Sequence, residues 1–239
     1  MTRLYRQVAA QIATLIDTGE YNTEDRLPAE RHLSARLSVS RPTIREAIIA
    51  LELSGLVDVR AGSGVYVINA PAARAISINM IDNAGASPLD VINARLDIEC
   101  AIVGDAARNA TQSQLDEIGA TVARMERATQ RNAFEAADHD FHVSIAEATG
   151  NSVLGPIVET LWTEMSSPIF MRMGRINGLV RENEPWAIQE HHDIHAALTA
   201  RDANAAEAAM RVHLHHVRDF LQHDWKDVDG ARQCLDAAE

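Results

Sequence analysis

The apolar residues of the first seventy positions recur at helical spacing and then in short β-branched runs. Helical periodicity predicts three helices, over residues 5–17, 28–37 and 41–53. Two β-branched runs, 56–60 and 65–68, flank the glycine-rich stretch 61–64 and predict a β-hairpin. Three helices followed by a hairpin describe a winged helix-turn-helix, in which the third helix lies in the major groove of DNA.

From residue 88 onward the apolar positions follow a helical period throughout. This pattern predicts an all-α bundle with helices near 89–109, 112–129, 132–148, 152–166, 168–176, 185–200 and 203–223. The predicted fold class is therefore mainly α: an N-terminal winged helix-turn-helix (three helices plus a β-hairpin wing) joined to an all-α helical bundle.

We expect four segments along the chain. A stretch that contains Pro71 and Gly85 separates the two patterns and predicts a linker, with a short helical piece around 76–81. The segments are a winged helix-turn-helix domain over 1–70, the linker over 71–87, a helical domain over 88–225, and a C-terminal tail over 226–239. DNA binding by the first domain, and metal binding, effector binding and dimerisation by the helical domain, are expected from the residues and the resemblance given next.

Charged residues and histidines divide along the same boundary. The net charge is −12, yet residues 1–70 hold eight arginines and eight acidic residues, whereas the remainder holds fourteen basic and twenty-six acidic residues. Nine of the ten histidines lie between His139 and His223. Such different inventories indicate two tasks, and a neutral domain can bind DNA when its arginines share one face.

Composition also indicates the cellular compartment in which the protein works. The two cysteines, Cys100 and Cys234, cannot build a disulfide framework, which favours a reducing environment. No apolar run approaches the ~20 residues that a membrane span needs, and the first residues lack the apolar core of a signal peptide. We therefore expect a cytoplasmic protein with no membrane partner.

Polar side chains at the start of the third predicted helix suit DNA. Arg41 and Arg45 share one helix face beside Thr43 and can bind guanine edges or phosphates. Ser40 and Thr43 at the helix N-terminus can donate to phosphate oxygens. The alternative is that both arginines are solvated surface residues that pair with acidic residues of their own helix.

Four polar residues of the helical region stand where the helical period calls for apolar ones: Asp138, His142, His191 and His213. A carboxylate buried alone is costly, and Asp138 lies one turn before His142 on the same helix face. Carboxylate and imidazole together suit a divalent transition metal such as zinc, nickel, manganese or iron. Hydrogen-bonded core histidines are the alternative, and periodicity also permits the pairs His191 with His195 and His213 with His216.

An arginine, Arg95, lies on the apolar stripe of the first bundle helix. Because a guanidinium keeps its charge, a buried arginine needs an anion. Either an internal glutamate such as Glu99 or Glu147 supplies that anion, or a carboxylate effector does.

Three motifs of the first domain carry a family resemblance, at residues 26–33, 39–47 and 56–65. They resemble the DNA-binding domain of GntR-family transcription regulators. The resemblance implies DNA contacts by the residues that match the family pattern: Arg31, Ser40, Arg41, Thr43, Arg45 and, at the wing tip, Gly62. Pro42 departs from the pattern, since many members have a small polar residue there, so a direct contact is lost at this position.

The helical half resembles the FCD domain of the FadR-like branch, through residues 138–142, 146–151, 190–194 and 209–214. Matched by position, the resemblance implies Asp138, His142, His191 and His213 as metal ligands, with zinc the expected ion. It also implies that Arg95 and Asn151 contact the effector, although Asn151 can instead cap the following helix. Residues 3–7, 45–52 and 141–149 further resemble hexuronate regulators, which suggests a sugar acid as effector.

These observations favour a homodimeric transcriptional repressor that binds an inverted-repeat operator in double-stranded DNA and responds to a small carboxylate effector. Two alternatives stay open. An Asp-His₃ site could activate water in a metal-dependent hydrolase or isomerase, but no residue is marked as its general base and a DNA-reading domain makes catalysis unexpected. The metal could also be purely structural in a regulator without an effector.

Overall fold

Residues 4–60, 63–68, 84–177 and 185–222 are described by a computed structural model. Their contacts form two units: the first holds the described residues up to 88 with 166–177 and Gln222, and the second holds 89–165 and 185–221. The predicted linker helix at 76–81 and the C-terminal tail lie outside the described residues, as does Gly62. In the described part of the chain, no helix is long and apolar enough to cross a membrane.

The first unit begins with three helices and a hairpin, as the sequence pattern predicts. These elements are α1 (Leu4–Asp17), α2 (Glu30–Leu37), α3 (Arg41–Leu53), β1 (Val57–Arg60) and β2 (Gly64–Val67). The strands are antiparallel, with Val57 opposite Val67 and Arg60 opposite Gly64.

The turn between α2 and α3 is set by two serines. Ser38 ends α2 in the left-handed conformation, with φ of 55°. Ser40 begins α3, and its side-chain oxygen accepts a hydrogen bond from the backbone N–H of Thr43. Pro42 fits the first turn of α3, where a missing N–H costs nothing. This local chemistry aims the N-terminal end of α3 outward.

Seven helices follow in the described part of the chain. They are α4 (Pro88–Asn109), α5 (Gln112–Arg127), α6 (Arg131–Ala148), α7 (Leu154–Met165), α8 (Pro168–Asn177), α9 (Pro185–Thr199) and α10 (Ala203–Gln222). The predicted fold class, a winged helix-turn-helix joined to a helical domain, is confirmed.

Helix α8 belongs to the first unit, although the sequence predicts it as part of the helical domain. It packs on α3 and buries Ile169, Phe170 and Met173. Because α1, α2, β1 and α8 all contact α3, every residue from Ile44 to Leu51 is buried. The exposed part of α3 is therefore its first turn.

The second unit is a bundle in which α6 packs against α5 and α7, and α9 packs against α5. A capping box formed by Thr111 and Gln114 begins α5. The predicted apolar stripes are buried on α6, α9 and α10, including Phe141, Leu198 and Met210. These three helices also carry the polar residues that interrupt the stripes.

Candidate DNA-reading surface and metal centre

The first turn of α3 presents polar groups to solvent. Ser40 and Arg41 are exposed, and Thr43 is half-buried. The side-chain oxygens of Ser40 and Thr43 lie 2.7 Å apart. Arg31 is exposed on α2. A helix N-terminus flanked by hydroxyl groups and arginines is suited to bind the phosphates of a DNA backbone.

Arg45 does not share the exposed face with Arg41, and that expectation is wrong. The residue is only 1% exposed, and its Nε lies 3.0 Å from both carboxylate oxygens of Glu30. Nη2 of Arg41 lies 3.5 Å from the same carboxylate. Glu30 on α2 faces α3 and draws the Arg45 guanidinium inward, since a buried guanidinium requires an anionic partner.

The wing carries a basic residue that the sequence analysis did not select. The guanidinium of Arg60 lies 4.3 Å from the ring centroid of Tyr66, and its Nε donates to Asp58 at 2.8 Å. Its side chain is 52% exposed. The sequence could have indicated Arg60 as a candidate DNA contact, because it lies beside the glycine-rich turn at which a wing approaches DNA.

The structure brings the four predicted metal ligands together in the second unit. Asp138 and His142 lie on α6, His191 on α9 and His213 on α10. One ligand atom from each lies within 4.8 Å of every other. The three histidines are at most 3% exposed. Helical spacing is responsible, because each residue replaces an apolar one on a core-facing stripe.

The three imidazole rings are held so that Nδ1 meets an acceptor outside the cluster. These contacts are His191 with the carbonyl of Ala187 at 2.6 Å, His213 with Oε2 of Glu190 at 3.1 Å, and His142 with Oε2 of Glu99 at 2.6 Å. Each Nε2 is then left for the cluster, where Nε2 of His191 lies 2.9 Å and Nε2 of His142 lies 3.4 Å from Oδ1 of Asp138. Such outer acceptors orient metal-binding histidines in proteins.

Two of the four groups in the cluster, Asp138 and His213, are held in the protonation states that bind a metal. Burial raises the pKa of Asp138, but the adjacent imidazoles of His142 and His191 outweigh burial and hold that pKa well below its usual range. Burial, with the neighbouring His191, lowers the pKa of His213 to about 4. At neutral pH the carboxylate is therefore charged and His213 is neutral, which are the forms that bind a metal.

The surroundings of the His142 ring nitrogens show whether a metal ion fits the cluster. Burial lowers its pKa, but the charge of Glu99 outweighs burial and raises it. Its Nδ1 and Nε2 lie near the carboxylates of Glu99 and Asp138, but neither contact has hydrogen-bond geometry. A buried imidazole nitrogen beside a carboxylate and two further imidazoles fits a divalent transition metal.

Arg95 is paired internally, with the first of the two glutamates that the sequence allows. Its Nε and Nη2 donate to Glu99 at 2.6 and 3.3 Å, and Nη1 contacts the sulfur of Met165 at 3.1 Å. Burial raises the pKa of Glu99, but the charges of Arg95 and His142 outweigh it and lower that pKa to about 2. Glu99 thus joins Arg95 to the metal cluster, a link that the sequence analysis did not predict.

Asn151, His192 and His195 lie outside this cluster. The side-chain oxygen of Asn151 accepts the backbone N–H of Val153 at 3.1 Å, a local contact in the turn just before α7. His192 pairs with Glu126 at 2.8 Å. His195 approaches the carbonyl of Leu115 at 3.0 Å and is not part of the four-residue set.

Two family models match the chain. The model for bacterial regulatory proteins of the gntR family matches residues 4–67, and the FCD domain model matches residues 90–216. The chain belongs to the GntR family, in the branch that carries an FCD domain. It is a transcriptional regulator and not an enzyme.

Similar proteins agree with this assignment. The "Exu regulon transcriptional regulator" of Escherichia coli (strain K12) is 35% identical over 94% of this chain and 87% of its own length. The "Uxu operon transcriptional regulator" of the same strain is 34% identical, over 95% of this chain and 90% of its own. The predicted resemblance to these regulators is confirmed.

A solved structure shares the fold. It is described as "Lar controls the expression of the Listeria monocytogenes agr system and mediates virulence". It aligns with a TM-score of 0.50 at 19% identity, over 93% of this chain and 98% of that chain. At that identity the similarity concerns the fold alone.

Proposed function

We propose that this regulator is a homodimeric repressor whose helical unit binds a divalent metal and a small carboxylate effector. One observation carries the proposal: four ligand atoms, from Asp138, His142, His191 and His213, lie within 4.8 Å of one another in a chain that also has a GntR DNA-binding domain. Such a centre would let the regulator respond to a small molecule, because a ligand that completes the coordination of the ion would bind only at the metal-loaded site.

Zinc is the expected ion, with nickel, manganese and iron as alternatives, because imidazole and carboxylate ligands suit all four. Asp138 and the three histidines would hold it. The bound ion would offer open coordination positions to the oxygens of an acid. Glu99 and Glu190 would orient two of the imidazoles from outside the cluster.

The proposed effector is a sugar acid such as a hexuronate. Its carboxylate and adjacent hydroxyls suit both a metal ion and an arginine. Arg95 would contribute the N–H groups that do not contact Glu99 or Met165, whereas Asn151 would keep its hydrogen bond to the backbone of Val153. The support from relatives is the similarity to the Exu and Uxu regulators.

DNA contacts are proposed for Arg31, Ser40, Arg41 and Thr43, with Gly62 at the wing tip. Arg45 would act as a positioning residue through Glu30, because its guanidinium is buried. Acid binding would shift the dimer towards an arrangement with lower affinity for the operator. This requires a difference in acid affinity between two arrangements, typically ~1–3 kcal/mol.

Electrophoretic mobility shifts test the DNA assignment, with a duplex selected from a random library by the zinc-loaded protein. We expect Arg41→Ala to weaken binding at least ~10-fold, since a good arginine contact to a base is worth ~1–3 kcal/mol. Arg108→Ala, which removes an exposed arginine of α4, is the control and should bind like the wild type. Equal binding by both variants would refute the assignment.

Alanine variants of two neighbouring histidines of α9 test metal binding. We expect His191→Ala to lose zinc affinity by more than ~100-fold, because residues that merely orient a ligand are already worth ~10–100-fold. His192→Ala removes a half-exposed histidine that pairs with Glu126 and should keep its zinc. The measurement is zinc content and competition with a chelator, and retention of zinc by His191→Ala would contradict the site.

Thermal shifts distinguish a sensor from a structural metal. We expect galacturonate or glucuronate to stabilise the zinc-loaded protein and to leave the stripped protein unchanged. Stabilisation by zinc alone, with no response to any acid, would favour the purely structural metal.

A further inference from the structure

A buried indole lies beside the metal cluster with its N–H unused. Trp162 on α7 is 8% exposed. Its Nε1 is inaccessible to solvent and has no hydrogen-bond partner among the described residues. An unsatisfied buried N–H costs ~1–3 kcal/mol, and native structures usually supply an acceptor.

The surroundings of Trp162 are rich in donors. The guanidinium carbon of Arg95 lies 4.6 Å from the ring centroid, and the ring centroid of His142 lies 5.4 Å away. The nearby carboxylate of Glu99 is already shared between Arg95 and His142. Among the described residues, no acceptor oxygen is therefore left for the indole N–H on this side of the cluster.

We infer that Trp162 is an effector-binding residue whose Nε1–H donates to an oxygen of the bound acid. This inference rests on the proposed function. The acceptor belongs to a polyhydroxy acid, because such a ligand brings a carboxylate for the cation at Arg95 together with further oxygens for the metal and the indole. Trp162 thus links the arginine and the metal ligand into one recognition surface.

Specificity follows from the same contact. A site with a buried donor discriminates strongly against a ligand that lacks the matching acceptor, because the donor is then left without a partner. A monocarboxylic acid without hydroxyl groups, such as hexanoate, would leave either the metal or the indole without an oxygen. We expect its affinity to fall well below that of a hexuronate.

The closing experiment uses calorimetric titration of the full-length, zinc-loaded protein with galacturonate and glucuronate. Trp162→Phe keeps an aromatic face near Arg95 and removes only the N–H donor and part of the ring. We expect it to bind the better of the two acids about 10-fold more weakly, which is the value of one hydrogen bond, with zinc affinity unchanged. Trp186→Phe, which removes an indole stacked on Phe220 in the same unit, is the matched control and should bind like the wild type.

A second measurement does not depend on the variant folding. In the ¹⁵N-labelled wild type, the indole N–H signal of Trp162 should move downfield when the acid binds, whereas that of Trp186 should stay in place. Wild-type affinity in Trp162→Phe, or an indole signal that does not respond to a bound acid, overturns this inference and leaves the proposed function intact. Failure of the zinc-loaded wild type to bind either acid overturns both.

Discussion

Glu99 contacts both a buried cation, Arg95, and a candidate metal ligand, His142. Its carboxylate lies 2.6 Å from Nε of Arg95 and 2.6 Å from Nδ1 of His142. It is 2% exposed. Its charge therefore holds an arginine in the core and orients an imidazole at the same time.

We predict that Glu99→Gln lowers the free energy of unfolding of the metal-free protein by at least ~2 kcal/mol. The amide keeps the shape of the side chain but leaves the Arg95 charge without a counter-ion, and removing one partner of a buried ion pair typically costs ~3–5 kcal/mol. Urea unfolding followed by circular dichroism measures the change. Asp105→Asn on the same helix breaks an exposed pair with Arg108 and should cost less than ~0.5 kcal/mol; comparable losses in both variants would contradict the argument.

At the residue scale, the sequence predicts positions that can be read from one helix at a time. Asp138, His191 and His213 stand out because each interrupts an apolar stripe on its own helix. The burial of Arg45 could not be predicted in this way, because it depends on Glu30 of another helix. The pattern of α3 alone places Arg45 on the same face as Arg41. The unused N–H of Trp162 is equally invisible, since buried tryptophan is ordinary and only the packed structure shows which acceptors are near.

At the scale of elements, the least expected feature is the packing of α8 against α3 in the first unit. Nε and Nη2 of Arg172 donate to the carboxylate of Glu52 at 2.7 and 2.5 Å. The same carboxylate lies 3.4 Å from the backbone N–H of Val59 in β1. Glu52 therefore ties the end of α3 to the wing and to α8.

The sequence predicts that α8 exists but not where it packs. Its amphipathic pattern shows that one face is buried, and nothing in that pattern names the element that covers it. Glu52 and Arg172 are 120 residues apart, so their pairing is a property of the folded chain. The hairpin and the first three helices were predictable because their turns are local.

We predict that Arg172→Ala loosens α3 and the wing without unfolding the second unit. The pair is half-buried, with side-chain exposures of 34% and 15%, so its loss should cost about 1 kcal/mol. Hydrogen exchange should become severalfold faster at amides near Glu52 and Val59. Arg124→Ala, which breaks an exposed pair with Asp140 in the second unit, is the control; unchanged exchange at Glu52 in Arg172→Ala would contradict this coupling.

At the scale of the whole molecule, the charge balance limits how DNA can be bound. The chain carries a net charge of −12, and its first seventy residues are neutral. Few arginines on α2, α3 and the wing are available for phosphates, since Arg45 is buried. A single copy should therefore bind a duplex weakly, because phosphate contacts supply much of the affinity for DNA.

We predict that two linked copies compensate for this weakness. A duplex with the full inverted repeat should bind ~100-fold or more tightly than the same duplex with one half-site scrambled, because the second contact becomes intramolecular within a dimer. Fluorescence anisotropy at several salt concentrations measures both affinities, and sedimentation gives the oligomeric state. Arg41→Ala should reduce the slope of log affinity against log salt by about 1 for each copy if its contact is to phosphate. A monomer in sedimentation, or equal affinity for the two duplexes, would contradict this prediction. Either result would show that one copy binds the operator without help from a second copy.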